Sequence, residues 1–371
     1  MFYYIIAGER SGDLHASNLM KEIKLRDPQA TFRFWGGEYM NAVGGELVTH
    51  YKEMSYMGFL EVLLNLDKVV TKINLCKKDI TEHKPDALIL VDYSGFNLKI
   101  AEFVKKQQLN TPIFYYISPK IWAWNTNRAN KIKKLVDRMF VILPFEKAFY
   151  KKFDYEVDYV GNPSVDAYNQ FKANPNFISD NKLSNKPIIA VLPGSRKEEV
   201  YHMLHFMVSI LPAFREYQFV VAGVSNLSSN YYDAFKRDGI VTIVYEQTYD
   251  ILSHAKAALV TSGTATLETA LFEVPQVVCY ATSGFTYLAA KLLVRVKYIS
   301  LVNLIADEWI VKELVQGDFS PSNLMEELLR LTSDETYRSA ILQGYKRLKN
   351  ILGEANASSN TAELMMNYFK K

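Results

Sequence analysis

Short apolar runs alternate with helix-like segments along most of this 371-residue chain. Several runs are continuously apolar, which is typical of parallel strands covered on both faces. The predicted strands of the first half are Phe2–Ala7, Thr31–Trp35, Ala87–Val91, Pro112–Ile117, Arg138–Ile142 and Glu156–Val160. Helical patterns such as Asp13–Leu25 and Phe59–His83 separate them. This alternation predicts an α/β fold built on a doubly wound parallel sheet.

The alternation restarts after a stretch rich in Asn, Ser and Pro, NPNFISDNKLSNK, which indicates a linker. The later predicted strands are Pro187–Leu192, Phe219–Ala222, Val241–Val244, Ala257–Thr261 and Gln276–Cys279, and from about Ser320 the pattern is purely helical. We therefore predict an N-terminal domain at residues 1–170, a linker at 171–186 and a C-terminal domain at 187–350. A last helix at 351–371 is expected to pack on the N-terminal domain or to exchange between the subunits of a homodimer.

Charge and cysteine content exclude several classes of protein. The chain has 43 basic and 40 acidic residues, a balance that argues against a generic nucleic-acid partner. Its two cysteines, Cys76 and Cys279, are too far apart in sequence to suggest a disulfide framework or a cysteine zinc site. The opening apolar run, Phe2–Ala7, is far shorter than the ~20 residues of a membrane span. These features predict a cytoplasmic protein.

Ligands of doubly wound sheets bind beyond the carboxyl ends of the strands, so the loops at those ends hold the candidate site residues. The first strand leads through a glycine-containing turn into a helix whose free N–H groups can bind an oxygen-rich ligand. The candidate residues of this loop are Gly8, Glu9, Ser11, Gly12 and Asp13, which would bind the second ligand, the acceptor, in the cleft. The competing interpretation is a plain strand–helix turn in which Asp13 caps the helix.

Asp92 follows the strand Ala87–Val91 directly, and a carboxylate in that place can act as a general base toward an attacking hydroxyl. The competing interpretation is an N-cap for the helix that begins near Phe96. The next strand-end loop contributes three candidate cleft residues, Ser118, Trp122 and Trp124. The two tryptophans can form an apolar or sugar-stacking wall, or they can simply fill the edge of the core.

Two loops in the second half are typical of phosphate binding. Ser195 and Arg196 place a hydroxyl and a guanidinium at the start of a helix, an arrangement that suits a diphosphate. Ser262, Gly263 and Thr264 form a second loop of small residues before a helix, and Glu268 lies one turn further on, where it can accept hydrogen bonds from a ribose. The alternative is a capping arrangement with Glu268 exposed. This division of the candidate residues predicts that the second half of the chain binds a nucleotide and the first half binds an acceptor.

Several sequence blocks together resemble the lipid-A-disaccharide synthase family, from AGERSGD at the start to SLVNLIADEWIVKELVQ at 300–316. The other shared blocks are MGFLEVL, SPKIWAW, LPFEKAFY, VGNPSVDA, LPGSR and SGTATLE. The resemblance implies the GT-B architecture, in which two Rossmann-like doubly wound domains face each other across a cleft, with a helical C-terminal tail.

The resemblance also implies an inverting, metal-independent hexosyltransferase that uses no cofactor. Its substrates would be UDP-2,3-diacylglucosamine and 2,3-diacylglucosamine 1-phosphate, and its products a β-1,6-linked disaccharide 1-phosphate and UDP. By match to the family motifs, Asp92 would deprotonate the acceptor 6-hydroxyl and Arg196 would bind the diphosphate. The implied helpers are Ser195 and the Ser262–Thr264 loop at the diphosphate, Glu268 at the ribose, and Asn303 in the same pocket.

One departure from the family concerns the loop after Asp92. The family commonly has Asp-x-Pro-Asp-Phe-Asn there, whereas this chain has Gly95 in place of the second acid and Ser94 in place of the proline. The prediction of a catalytic carboxylate therefore depends on Asp92 alone.

Two features suggest attachment to a membrane surface. The segment Met57–Ile73 has a wide apolar face, which can bind acyl chains or pack on the sheet. The basic stretch 120–152 holds nine basic residues against two acidic ones, and Tyr287–Ile299 is a second basic and apolar segment. We therefore expect a peripheral protein on the inner face of the inner membrane.

Two other functions fit the same architecture. A UDP-GlcNAc 2-epimerase would need neither a lipid-binding surface nor an acceptor base. A non-catalytic protein that binds a sugar nucleotide or lipid is the third candidate, and Gly95 is the residue that favours it.

Overall fold

The computed structural model describes residues 1–54, 66–225, 227–236, 240–281, 296–354 and 356–370. Internal contacts divide the chain into two compact units. The first unit consists of Met1–Pro163 and Glu354–Lys371, and the second of Ser164–Gly353. The boundary thus falls before the predicted linker, and the chain returns to the first unit at its end.

The first unit contains a sheet of seven parallel strands in the order β3-β2-β1-β4-β5-β6-β7. The strands are β1 Phe2–Ala7, β2 Thr31–Gly36, β3 Glu46–His50, β4 Ala87–Val91, β5 Ile113–Tyr116, β6 Arg138–Val141 and β7 Asp158–Tyr159. Alternate residues of β1 enter two different cores, with Tyr4 on one face and Tyr3 on the other. Both faces are covered, which explains why these strands are apolar without alternation.

The second unit contains a sheet of six parallel strands in the order β10-β9-β8-β11-β12-β13. The strands are β8 Ile188–Leu192, β9 Gln218–Gly223, β10 Val241–Tyr245, β11 Ala255–Thr261, β12 Gln276–Tyr280 and β13 Lys312–Val315. Two parallel sheets with helices between their strands confirm the predicted α/β architecture. The edge strands β3 and β13 were not predicted, because they are short and charged residues interrupt their apolar pattern.

The helices follow the strands in the alternation that the sequence predicts. They are α1 Arg10–Arg26, α2 Glu38–Val43, α3 Leu66–His83, α4 Ser94–Lys106, α5 Arg128–Leu135, α6 Phe145–Lys151, α7 Pro163–Gln170, α8 Phe177–Asp180, α9 Lys197–Ser209, α10 Ser229–Asp233, α11 Thr248–His254, α12 Thr264–Leu271, α13 Leu301–Ala306, α14 Pro321–Ser333, α15 Glu335–Leu352 and α16 Ala357–Phe369. None of the helices in the described ranges is long and apolar enough to cross a membrane.

The last helix, α16, packs on α1 of the first unit. The side-chain amide of Asn360 donates a hydrogen bond to the carbonyl of Val160 at 3.0 Å. The ring of Tyr368 meets Phe114 of β5 edge-on, with 5.2 Å between the centroids. The helical tail therefore completes one face of the first sheet.

The predicted linker at 171–186 is instead part of the second unit. Phe177 of α8 is fully buried in the core of that unit, where its ring stacks on His254 at 5.0 Å between centroids. Phe171 packs edge-on against Tyr249. The linker prediction was wrong here, because it depended on the Asn, Ser and Pro content and did not consider these packed aromatic side chains.

Two predicted membrane-facing segments lie mainly outside the described residues. Of Met57–Ile73, the structure describes only the part from residue 66 onward, which belongs to α3. Of Tyr287–Ile299, it describes only residues 296–299.

The burial of Phe177 leads to a test of stability. Phe177→Ala should lower the free energy of unfolding by about 3–5 kcal/mol, because it removes a buried ring and leaves a cavity. Asn185→Ala, an exposed change in the same segment, should have little effect. Urea unfolding of the full chain measures both. Equal, small effects would show that the segment is a linker after all.

Candidate active site

The pairing of β1 with β4 sets the centre of the site in the first unit. Ala7 pairs with Val91, so Gly8 and Asp92 leave the sheet side by side. A Cβ atom on Gly8 would collide with the ring of Tyr93, so only glycine allows the two loops to approach this closely. The sequence prediction that Gly8 and Asp92 lie at one edge of the sheet agrees with this register.

The carboxyl group of Asp92 is partly buried. This burial raises its pKa to about 6; Lys120 opposes the shift, and the negative charge of Glu9 adds to it. The group is therefore mostly ionised at neutral pH, yet it is more basic than an ordinary aspartate. A pKa near the working pH is what a general base needs.

The backbone at this edge is held in an unusual conformation. Asp92 and Tyr93 have φ angles of +44° and +42°, and Ile117 after β5 has +66°. Residues other than glycine rarely adopt this left-handed backbone conformation, and a β-branched residue such as Ile117 does so least readily. Such strain is found mainly where the surrounding structure enforces it, often at functional sites.

Two buried side chains hold the carbonyl group of Asp92. The hydroxyl of Tyr115 and the amide of Asn97 both donate to this oxygen, the latter at 2.9 Å. The Asn97 amide also reaches the carbonyl of Val91 at 3.3 Å. The side-chain oxygen of Asn97 is buried and has no protein partner in the described structure. Neither Tyr115 nor Asn97 was a predicted site residue.

The loop after β1 contains residues that face the site and residues that stabilise the local fold. Glu9 lies close enough to Asp92 to affect its pKa, and Ser11 is exposed. Gly12 and Asp13 are buried. The Asp13 carboxylate accepts hydrogen bonds from the backbone N–H groups of Gly37, Tyr39 and Met40 at 2.7 to 3.1 Å. Asp13 therefore caps α2, which is neither the acceptor-binding role nor the cap of its own helix that the sequence suggested.

The loop after β5, which contains Ser118, Trp122 and Trp124, is called the tryptophan loop here. Hydrogen bonds fix its first two named residues, and the third is exposed to solvent. The hydroxyl of Ser118 pairs with that of Tyr150 at 2.7 Å. The indole N–H of Trp122 donates to Glu146 at 3.1 Å. Burial raises the pKa of Glu146 to about 7, and the N–H donors of Leu143 and Trp122 oppose that shift.

Trp124 differs from these anchored residues because 45% of its surface is exposed. The guanidinium of Arg128 lies 4.9 Å from its ring centroid. Of the three cleft residues predicted in this loop, Trp124 alone offers an open aromatic face, whereas Ser118 and Trp122 fix the loop.

The second unit has a pocket of about 250 Å³ at the carboxyl ends of its strands. Its lining residues are Leu192, Gly194, Ser195, Glu199, Ala222, Val224, Thr248, Thr261, Ser262, Gly263, Thr264, Ala265 and Glu268. The structure thus brings together five of the predicted nucleotide-binding residues. Arg196 lies exposed at the N-cap position of α9, next to the pocket-lining Ser195.

The loop after β11 leaves open space over the start of α12. Gly263 and Thr264 are exposed, and a Cβ atom on Gly263 would have no atom within 4 Å. The hydroxyl of Ser262 is used internally, since it donates to the carbonyl of Ile299 at 2.8 Å. Backbone N–H groups at the start of α12 therefore face a space that can admit an anion.

Glu268 is partly buried at the same pocket, and it accepts a hydrogen bond from the hydroxyl of Tyr249 at 3.0 Å. Burial raises the pKa of Glu268, and the Tyr249 hydrogen bond opposes the shift. The buried hydroxyl of Thr261 also lines the pocket and has no partner in the described structure. Thr261 was missed because it is the last residue of an otherwise apolar strand.

Asn303 does not line this pocket, contrary to the expectation from sequence. Its side chain is fully buried, donates to Val311 and Glu313 at 2.9 Å, and accepts from the N–H groups of Ile310 and Val311. All of its hydrogen-bonding capacity is used, so it stabilises the turn before β13.

The residues with metal-ligating atoms close together lie away from these loops. In the described part of the chain, Asp79, Glu82 and His83 bring ligand atoms within 4.8 Å of one another. Asp79 is already bonded to Arg33 at 2.7 Å and to the hydroxyl of Tyr4 at 2.6 Å. This carboxylate belongs to a structural network, so we assign no metal to it.

The two parallel sheets, with helices between their strands, have the GT-B fold. Solved structures of this class superpose on the whole chain. UDP-GlcNAc 2-epimerase from Neisseria meningitidis bound to UDP-GlcNAc has a TM-score of 0.65 at 13% identity, with 100% of both chains covered. The glycotransferase of kitacinnamycin has a TM-score of 0.66 at 12% identity, with 99% of this chain and 98% of that chain covered. Identities this low establish the fold alone.

Within that class, the chain belongs to the lipid-A-disaccharide synthetase family, whose model matches residues 3–368. Two curated relatives are lipid-A-disaccharide synthases. That of Myxococcus xanthus is 37% identical over 98% of this chain and 96% of its own length. That of Syntrophus aciditrophicus is 35% identical over 99% and 97%. These matches confirm the resemblance seen in the sequence blocks and identify the chain as a glycosyltransferase.

The turn at Gly194 offers a test of the pocket's construction. Its φ is +102°, and an added Cβ atom would displace the carboxylate of Glu199, which accepts a hydrogen bond from the Ser195 N–H. Gly194→Ala should therefore lower the free energy of unfolding by about 1–3 kcal/mol. Gly317→Ala, where an added Cβ atom meets no atom within 4 Å, is the matched control. Equal unfolding midpoints in urea for the two variants would contradict this account.

Proposed function

We propose that this protein joins UDP-2,3-diacylglucosamine to 2,3-diacylglucosamine 1-phosphate, with Asp92 as the general base. Asp92 takes the proton of the acceptor 6-hydroxyl as that oxygen attacks C1 of the donor sugar. The bond between C1 and the diphosphate oxygen breaks, UDP leaves, and the configuration at C1 inverts. The products are the β-1,6-linked disaccharide 1-phosphate and UDP.

The observation that carries this proposal is the setting of Asp92. Its carboxyl group ends a fully buried strand, is partly withdrawn from water, and has Glu9 and Lys120 as charged neighbours. A carboxylate with a pKa raised to about 6 accepts a proton better than a fully solvated aspartate does. Family membership supports the choice of substrates.

The second unit binds the UDP half of the donor in this proposal. The open start of α12 at Gly263 and Thr264 receives the diphosphate, with Ser195 and the exposed guanidinium of Arg196 beside it. Glu268 accepts a hydrogen bond from the ribose. Arg196 and the helix N-terminus stabilise the charge that develops on the departing diphosphate, so the step needs no metal ion.

Gly95 does not weaken the assignment of Asp92 on steric grounds. It is exposed at the second position of α4, and an added Cβ atom would have no atom within 4 Å. The position therefore has room for the acid that the family commonly carries. The chain works without it in this proposal, and Asp92 alone takes the proton.

Asp92→Asn tests the base directly. UDP release from both lipid substrates in detergent and EDTA should fall by ~10² or more, because the amide cannot accept the proton. In the unaltered protein, the rate at low substrate should rise with pH through about 6, as Asp92 loses its proton. Asp86→Asn is the matched control, since Asp86 lies just before the opposite end of β4 and bonds the Phe2 N–H at 2.8 Å.

Each other outcome has a distinct meaning. Turnover that is the same in Asp92→Asn as in the unaltered protein would keep the reaction and remove Asp92 from it. Turnover of UDP-GlcNAc without any lipid would favour an epimerase. UDP binding without turnover of either lipid would favour a binding protein.

The proposal also places the protein peripherally on the inner face of the inner membrane. In the basic stretch 120–152, the side chains of Lys134, Lys147, Lys151 and Lys152 are exposed. Some of the positive charge is neutralised locally, for example by the ion pair between Lys131 and Glu102 at 2.9 Å. The remaining lysines suit an anionic lipid surface.

A homodimer through the C-terminal helix stays a prediction, and α16 packs on α1 of its own chain.

Flotation with anionic vesicles tests the membrane surface. The protein should float at low salt and remain at the bottom at about 1 M salt, where charges are screened within about 3 Å. Lys147→Glu with Lys151→Glu should reduce flotation, whereas Lys312→Glu with Lys346→Glu in the second unit should not. Failure of the unaltered protein to float at low salt would end this part of the proposal.

A further inference from the structure

The backbone at Asp92 has an unusual conformation, which the proposed reaction does not explain. Asp92 and Tyr93 are consecutive residues in the left-handed region, at φ +44° and +42°, and neither is a glycine. Two such residues in a row do not persist unless their neighbours hold them. The relevant neighbours are those that bond the peptide group between them.

The carbonyl of that peptide group receives two hydrogen bonds from different elements. The hydroxyl of Tyr115 on β5 reaches it from the neighbouring strand. The amide of Asn97 on α4 reaches it from the following helix at 2.9 Å. Both donors are fully buried, so water does not compete for the carbonyl from their side.

Tyr93 is restrained as well. Its hydroxyl donates to the carbonyl of Met54 at 2.8 Å, and its ring packs against Phe96 at 6.0 Å between centroids. The same ring occupies the space that a side chain on Gly8 would need. These contacts restrain Tyr93, the residue after Asp92, while the two donors restrain the Asp92 carbonyl.

We propose that Tyr115 is a positioning residue for Asp92. Together with the Asn97 amide, it keeps the Asp92 carbonyl in the left-handed conformation that directs the carboxylate out of the sheet edge. Without the hydroxyl, the peptide group relaxes toward an ordinary β conformation, which swings the Cβ atom and displaces the carboxylate. The inference rests on the proposed function, in which that carboxylate is the base.

Tyr115→Phe tests the inference, because it removes one hydroxyl and keeps the ring. We expect kcat to fall about tenfold or more, since a misplacement of about 1 Å can cost ~10²-fold. The KM of each substrate should stay within about twofold, as expected when an interaction acts on the transition state alone.

Tyr155→Phe is the matched control. Tyr155 is a nearly buried tyrosine of the same unit, and its hydroxyl donates to the carbonyl of Val136 at 3.1 Å. The two variants lose the same kind of hydrogen bond, so both should lose some thermal stability. Only Tyr115→Phe should lose kcat. A merely structural role for Tyr115 predicts the same kcat for both.

The double variant separates this inference from the proposed function. If Tyr115 acts through Asp92, then Tyr115→Phe should cause no further loss of kcat in an Asp92→Asn background. An equal fractional loss in both backgrounds would overturn the positioning role. Full activity of Asp92→Asn would instead refute the base assignment. An impaired Asp92→Asn with a Tyr115→Phe that matches Tyr155→Phe would refute the positioning role alone.

Discussion

The parallel pairing of β1, β4 and β5 is the constraint on which the candidate site in the first unit depends. The registers Ala7–Val91 and Val91–Tyr116 bring the ends of three strands to one edge. Because the strands run in the same direction, each delivers its following loop to that edge. A carboxylate, a glycine turn and the tryptophan loop therefore meet there, although they are far apart in sequence.

The same burial that stabilises these strands also shapes the chemistry. Asp92 emerges from a strand without solvent contact, so its carboxyl group is partly desolvated and its pKa rises. Buried tyrosines then supply hydroxyl donors inside an otherwise apolar core. Tyr115 bonds the Asp92 carbonyl, and Tyr150 pairs with Ser118 in the next loop. A core rich in tyrosine can thus hold polar loop atoms without water.

Sequence reasoning was strongest where a residue's position along a strand decided its role. The central strands were predicted to within a residue or so. Asp92 and Gly263 lie in the strand-end loops expected of them, and Glu268 lines the pocket from within α12. It failed where the partner of a polar side chain decided the role. Asp13 and Asn303 resemble ligand-binding residues in sequence, yet the structure uses them to bond backbone groups. Polar residues look alike in sequence whether their partner is a ligand or a distant peptide group.

The sequence by itself determined the α/β class, the order of the central strands along the chain, and membership of the family, because apolar runs and short motifs are local properties. Only the tertiary structure decided which residues surround Asp92. Tyr115 bonds the Asp92 carbonyl from a neighbouring strand, and Lys120 lowers the pKa of the Asp92 carboxyl from a separate loop. Their role depends on register and burial, and these arise only when strands far apart in sequence pair and exclude water.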